Sequence, residues 1–106
     1  MKRMCFLLRV KKDKLKSYQE HHEPVWPEML KVMQDAGIRN YSMFLREDGL
    51  LVGYFEAEDP EGALRKSAAT DVSRRWQEYM APFFESVAPE LEKGKPLFLK
   101  EYFYMK

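Results

Sequence analysis

The stretch from Ile38 to Ala57 constrains the fold more than any other. It reads IRNYSMFL, then REDG, then LLVGYFEA. Two apolar runs rich in β-formers flank Asp48-Gly49, a pair suited to a tight connection, so the segment predicts an antiparallel hairpin. RMCFLLRV, from Arg3 to Val10, is short, apolar and followed by charge, and reads as a strand covered on both faces. PLFLKEYFYM, from Pro96 to Met105, closes the chain as a further strand.

Helical patterns fill the gaps. Asp13 can cap a helix whose inner stripe is Leu15, Tyr18 and His22. Pro24 breaks that helix and can serve as an early position of a second. There Val25, Met29, Val32, Met33 and Ala36 recur at helical spacing until Gly37 supplies the stop. After the hairpin, a short helix is expected over Pro60 to Lys66. Another starts at Thr70 or Asp71, carries Val72, Trp76, Tyr79 and Met80 on one face, and is broken or bent by Pro82.

The resulting order is strand, helices, two strands, helices, strand. With right-handed crossovers this is an α+β, ferredoxin-like split βαβ arrangement: a four-stranded antiparallel sheet with helices on one face. The strands are apolar on both faces, as Phe6 beside Leu7, Met43 beside Phe44, Leu51 beside Val52 and Phe103 beside Tyr104 show. Helices can cover one face. The other is expected to meet a second copy, giving a homodimer packed sheet to sheet, a dimeric α+β barrel.

Composition narrows the partners. A chain of 106 residues, 45% of them hydrophobic, supports a single domain spanning 1–106. Eighteen basic residues against 17 acidic ones leave a net charge of +1, which gives no basic surface for nucleic acid. The N-terminal MKRMCFLLRVKK is interrupted by Arg9 and has no small-residue cleavage site, so it does not read as a signal peptide. No apolar run approaches the roughly 20 residues of a membrane helix. Cys5 stands alone and cannot form an internal disulfide. These features predict a soluble cytoplasmic protein with no membrane segment.

The candidate chemistry centres on YQEHHEPVWPEM, which contains both histidines of the chain. Tyr18, His22 and Trp26 follow one another at four-residue steps and can share a face. Imidazole exchanges protons near neutral pH, so His22 is a candidate general acid; the plainer reading is a helix-end residue near a favourable dipole. His21 points about 100° away, toward solvent. Adjacent histidines cannot present both rings on one helix face, and no Cys cluster or HExxH pattern occurs, so no metal is expected. Trp26, Tyr41 and Trp76 lie on three elements. Such rings stack on the apolar faces of sugars, or simply pack a core. Asp71 is a helix cap or a pocket residue. No Gly-rich phosphate loop and no GxSxG signature is present, which leaves proton transfer as the available chemistry.

Taken together, YQEHHEPVWPEM, NYSMFL, ATDVSRRWQEYM and the closing EYFYM, in that order, resemble the L-rhamnose mutarotase family over nearly the whole chain. The resemblance implies ferredoxin-like dimers whose sheets share a barrel. It also implies interconversion of the α and β anomers of L-rhamnose or a related monosaccharide, without a cofactor. It places the proton donor on His22 and sugar-binding positions on Tyr18, Tyr41, Trp76 and Gln77, with Trp26 and Asp71 as possible pocket residues. The chain departs from the family pattern at Gln77, where members often carry a second tryptophan. It departs again across 81–96, where an Asn- and Pro-rich stretch is common. Opening a pyranose requires a proton on the ring oxygen and loss of one from the anomeric hydroxyl. The base is open among Tyr18, Tyr41, a carboxylate and water. The same architecture also hosts monooxygenases and lactone isomerases, and a non-catalytic ligand-binding dimer is the alternative outside enzymes.

Overall fold

The computed structural model describes every residue except 23 and 24, and gives His21 and His22 as helical backbone alone. Its centre is β1 (Lys2–Val10). The predicted hairpin forms β2 (Arg39–Leu45) and β3 (Leu50–Ala57). β3 lies antiparallel to β1 from Lys2 opposite Ala57 to Arg9 opposite Leu50. Gly49 holds the hairpin in place. Its φ is +100°, its carbonyl accepts from the Val10 amide at 2.8 Å, and an added Cβ would run into the Val10 carbonyl.

The far side of β1 is shared by two short pieces, β4 (Phe84–Glu85) and β5 (Leu97–Leu99), both antiparallel to it. The sheet therefore has the order β2-β3-β1-β4, with β5 also on β1. The ferredoxin-like order is as expected, but its last strand differs. Ladder pairing covers Leu97–Leu99 rather than continuing to Met105, and β4 was not foreseen. Beyond Leu99 the chain is tied to β1 through side chains: Arg3 donates to Glu101 at 2.6 Å and its guanidinium lies 3.5 Å over the Tyr104 ring.

Helices α1 (Leu15–His22), α2 (Pro27–Asp35), α3 (Pro60–Ala68) and α4 (Asp71–Met80) cover one face. The Asp13 cap is not formed: Asp13 sits inside a 3-10 turn (Lys12–Lys14) that leads into α1 and whose N-cap, Lys11, makes no side-chain cap bond. The expected break at Pro24 lies outside the described residues. Pro27 occupies the first turn of α2, where a missing N–H costs nothing. Gly37, at φ +98°, ends α2: its amide and that of Ile38 bond the Gln34 and Met33 carbonyls, each at 3.0 Å. Asp59 caps α3 by accepting from Gly62 at 3.2 Å. Thr70, not Asp71, caps α4, accepting from Ser73 at 3.1 Å.

Strand alternation sorts the two sheet faces. Phe6, Val10, Leu51, Phe55 and Ala57 turn inward and are buried with Tyr18, Met29, Ala63, Trp76 and Met80 of the helices. The other face is bare. It carries Leu7, Val52, Leu97 and Leu99, with Phe44 64% exposed.

Candidate active site

A cavity of about 210 Å³ opens between the covered sheet face and helices α1 and α4. That is the space of roughly seven waters at about 30 Å³ each. Phe6 and Leu8 of β1, Tyr41 and Met43 of β2 and Phe55 of β3 form its floor. Tyr18 of α1 and Trp76, Gln77 and Met80 of α4 face them. Phe84, Gly94, Pro96 and Phe98 close one end.

The floor exists because Gly53 lacks a side chain. Gly53 stands opposite Phe6 in the ladder, and the Phe6 ring lies across it. There Phe6 meets Tyr41 and Phe55 at 6.2 Å and Phe98 at 6.0 Å between ring centres. Tyr41 stacks on Phe55 at 6.1 Å and 18°.

Two phenols meet across this space. Tyr18 is buried, with its ring edge-on to Phe83 and Phe84. Burial pushes its pKa well above the ordinary range, and the nearby Tyr41 adds to the shift. Tyr41 is 40% exposed, a surface it presents to the cavity and the adjoining cleft, yet the surrounding protein still desolvates its phenol and pushes it up to about 12. Both hydroxyls are therefore protonated at neutral pH.

Trp76 is 7% exposed and braced from behind. Trp26 meets it edge-on at 5.0 Å, and Tyr79 packs on both rings at 5.9 and 5.4 Å. Trp26 thus supports the cavity wall without lining it. Asp71 also stays away from the cavity. It is exposed at the start of α4 and accepts from Arg74 at 2.6 Å and Arg75 at 2.9 Å, which hold its carboxyl below the usual range. His22 is the last residue of α1, one turn beyond Tyr18, and its side chain lies outside the described set.

Tyr18, Tyr41, Trp76 and Gln77, drawn from three elements, thus share one cavity. Sequence reasoning missed Phe6 and Phe55 in the floor and Phe98 at its end, whose inward alternation was the available signal. It also gave no roles to Phe84, Gly94 and Pro96, which bring the divergent 81–96 segment to the wall. A second cleft of about 540 Å³, lined by Met29, Leu30 and Met33, shares Tyr41, Trp76 and Gln77 with the first. Among the described residues, no group of three or more His, Cys, Asp or Glu side chains could hold a metal ion. An apolar ring platform with a few convergent hydroxyl and amide groups can bind a small polyol and orient it.

Comparison with known proteins identifies the family. The family model described as L-rhamnose mutarotase matches residues 3–105. The L-rhamnose mutarotase of Bacillus subtilis (strain 168) is 38% identical over 106 residues, 99% of each chain. The crystal structure of L-rhamnose mutarotase from Formosa agariphila superposes with a TM-score of 0.80 at 25% identity, covering 100% of both chains. A putative antibiotic biosynthesis monooxygenase from Nitrosomonas europaea has a TM-score of 0.60 at 15% identity, covering 93% of this chain and 88% of that one, a likeness of fold alone.

Proposed function

The chain belongs to the L-rhamnose mutarotase family and is an isomerase that interconverts the α and β anomers of L-rhamnose; we propose that the cavity between the sheet and helices α1 and α4 is where it does so. The observation that carries this assignment is the meeting of Tyr18, Tyr41, Trp76 and Gln77 around one space of monosaccharide size.

In this reading the Trp76 ring lies against the apolar side of the sugar, and the two phenols and the Gln77 amide bond its hydroxyls. His22 donates a proton to the ring oxygen while the anomeric hydroxyl loses one. The C1–O5 bond breaks and an open-chain aldehyde forms. Rotation about C1–C2 presents the other carbonyl face, O5 attacks it, and its proton returns to His22 while the carbonyl oxygen is reprotonated. Burial raises both phenols above their ordinary range, so at neutral pH they keep their protons, and Tyr18 and Tyr41 serve as hydrogen-bonding groups rather than as the base. No carboxylate lines the cavity among the described residues, which favours water as the base.

Saturation-transfer NMR between the anomers tests the function across L-rhamnose, L-fucose, L-lyxose and D-glucose. Exchange is expected to accelerate most for L-rhamnose. A rate equal to that in buffer for every sugar overturns the proposal.

The working form is proposed to be a cytoplasmic homodimer. Its support is the bare sheet face together with the exposed Tyr102, Phe103 and Tyr104 of the C-terminal segment. A lone cysteine and no described helix long and apolar enough to cross a membrane accord with that location. Sedimentation giving a monomer at micromolar concentration would sink the dimer.

A further inference from the structure

We infer that Asn40 and Glu56, on the bare side of the sheet, are positioning residues that aim Tyr41 into the cavity. The inference rests on the reading of Tyr41 as a sugar contact. The β2–β3 ladder skips at this point: Arg39 lies opposite Glu56, yet Ser42 lies opposite Tyr54. Three steps along β2 match two along β3, so β2 contains one extra residue, a β-bulge.

Paired residues share a face. Glu56 and Tyr54 alternate with the buried Phe55 and Ala57, so Arg39 and Ser42 both stand on the bare face. In a regular strand, residues 39 and 41 would share a side. Only the extra residue allows Arg39 to stay outside while Tyr41 turns in to stack on Phe55.

Asn40 forms the bulge. Its φ of +51° is the single left-handed value among the described non-glycine residues. Asparagine reaches that region more readily than most residues because its short amide bonds locally. Here the amide donates to Glu56 Oε1 at 2.7 Å, and Tyr54 donates to the other Glu56 oxygen at 2.6 Å. One carboxylate on β3 therefore clamps the bulge on β2.

Both sides of the bulge are anchored. Upstream, Arg39 donates to the Gln34 and Ile38 carbonyls at 2.8 and 2.9 Å, and Ile38 is 5% exposed. Downstream, the hairpin fixes Ser42 to Leu45 against β3. If residue 40 cannot adopt its left-handed turn, the strand straightens. Sending Arg39 inward would bury a guanidinium and turn Ile38 out of the core, which is costly. Tyr41, next to the bulge, is the residue that loses its place.

The test uses full-length protein labelled with 3-fluorotyrosine, with Tyr41→Phe assigning the Tyr41 fluorine signal. Asn40→Val removes both the amide and the tolerance for positive φ, whereas Asn40→Gly removes only the amide. Asn40→Val is expected to move the Tyr41 signal toward its solvent-exposed position and to raise KM for L-rhamnose roughly tenfold, the scale of one lost hydrogen bond, with a smaller change in kcat. Asn40→Gly, which keeps the left-handed turn but loses the bond to Glu56, should shift the signal and raise KM by a smaller step. A role confined to stability would lower the folded fraction and leave KM and the signal of the folded protein unchanged.

The inference is overturned if folded Asn40→Val keeps both in place. If Asn40→Val does not fold, Glu56→Ala is read by the same criteria. A Tyr41→Phe enzyme with unchanged KM would refute the sugar contact instead, and the fluorine shift in Asn40→Val would still decide the positioning.

Discussion

Replacing Gly53 with alanine pushes a methyl group at the cavity floor. The added Cβ would fall on the end of the Phe6 ring, 2.5 Å from Cε1 and Cε2. Carbon atoms settle at about 3.5–4.0 Å and Cζ is nearer still, so the ring has to recede by about 1.5 Å. Tyr41, Phe55 and Phe98 surround it at 6.0–6.2 Å, and the open direction is the cavity. Overpacking of this kind costs about 1–3 kcal/mol. At about 4–8 °C of Tm per kcal/mol for a domain of this size, melting should fall by roughly 4–24 °C. The displaced ring also takes space from a cavity of only about 210 Å³. KM for L-rhamnose should then rise about tenfold or more, the equivalent of 1.4 kcal/mol of lost binding. Circular dichroism melting reads the first effect, and anomeric exchange by NMR at several sugar concentrations, well below Tm, reads the second. A variant that melts earlier by this amount yet keeps wild-type KM would refute the placing of the sugar beside Phe6.

His22→Ala should lower exchange by roughly 10²-fold or more, while His21→Ala leaves it nearly unchanged; the same NMR assay reads both, and the reverse pattern would reassign the acid. Trp76→Ala is expected to cost about 3–5 kcal/mol of stability, because the ring is buried between the cavity and Trp26. Trp76→Phe is therefore the cleaner probe: it should raise KM more than it lowers kcat, and unchanged KM would make Trp76 a packing residue only. Alkaline stability provides a fourth test. The folded Tyr41 phenol lies at about 12 against an ordinary 10.0, so the folded state holds a proton that the unfolded chain releases. Its contribution is complete below pH 10 and is lost as pH rises toward 12. Tyr41→Phe should flatten that fall in urea midpoints, and identical slopes for the two proteins would contradict the desolvation of the Tyr41 phenol.

Much of the fold could be read from local pattern. Asp48-Gly49 between apolar runs marked the hairpin, Gly37 marked the end of α2, and the spacing of Trp76 and Met80 marked the inner face of α4. These signals are local because turn geometry and helical periodicity are local. The misses have a common cause in tertiary context. Phe84–Glu85 is too short to show any period, and it is a strand only because Arg9 and Val10 lie beside it. The alternation of the C-terminal segment suited a long strand, but pairing depends on a partner edge and stops at Leu99. Asp13 is a good capping residue, yet the 3-10 turn that opens the helix took it inside. The residues that mark the cavity were found by resemblance, whereas its aromatic floor depends on which strands β1 meets. Asn40 looked like an ordinary strand residue because a one-residue bulge leaves no compositional trace.

The cavity is assembled from residues far apart in the chain, since Phe6 of its floor meets Phe98, which closes one end. On the ribosome this separation becomes a delay. At about 5–20 residues per second, β1 waits roughly 2–8 s for β3 to be made, and about 4–17 s for β5. For most of that time the strand destined for the middle of the sheet has unpaired backbone and apolar side chains on both faces. The chain thus passes through an aggregation-prone stage before it can bind anything. Added sugar could rescue a destabilised variant after release, but it could not protect the nascent chain, because Phe98, which closes one end of the proposed site, is made long after Phe6.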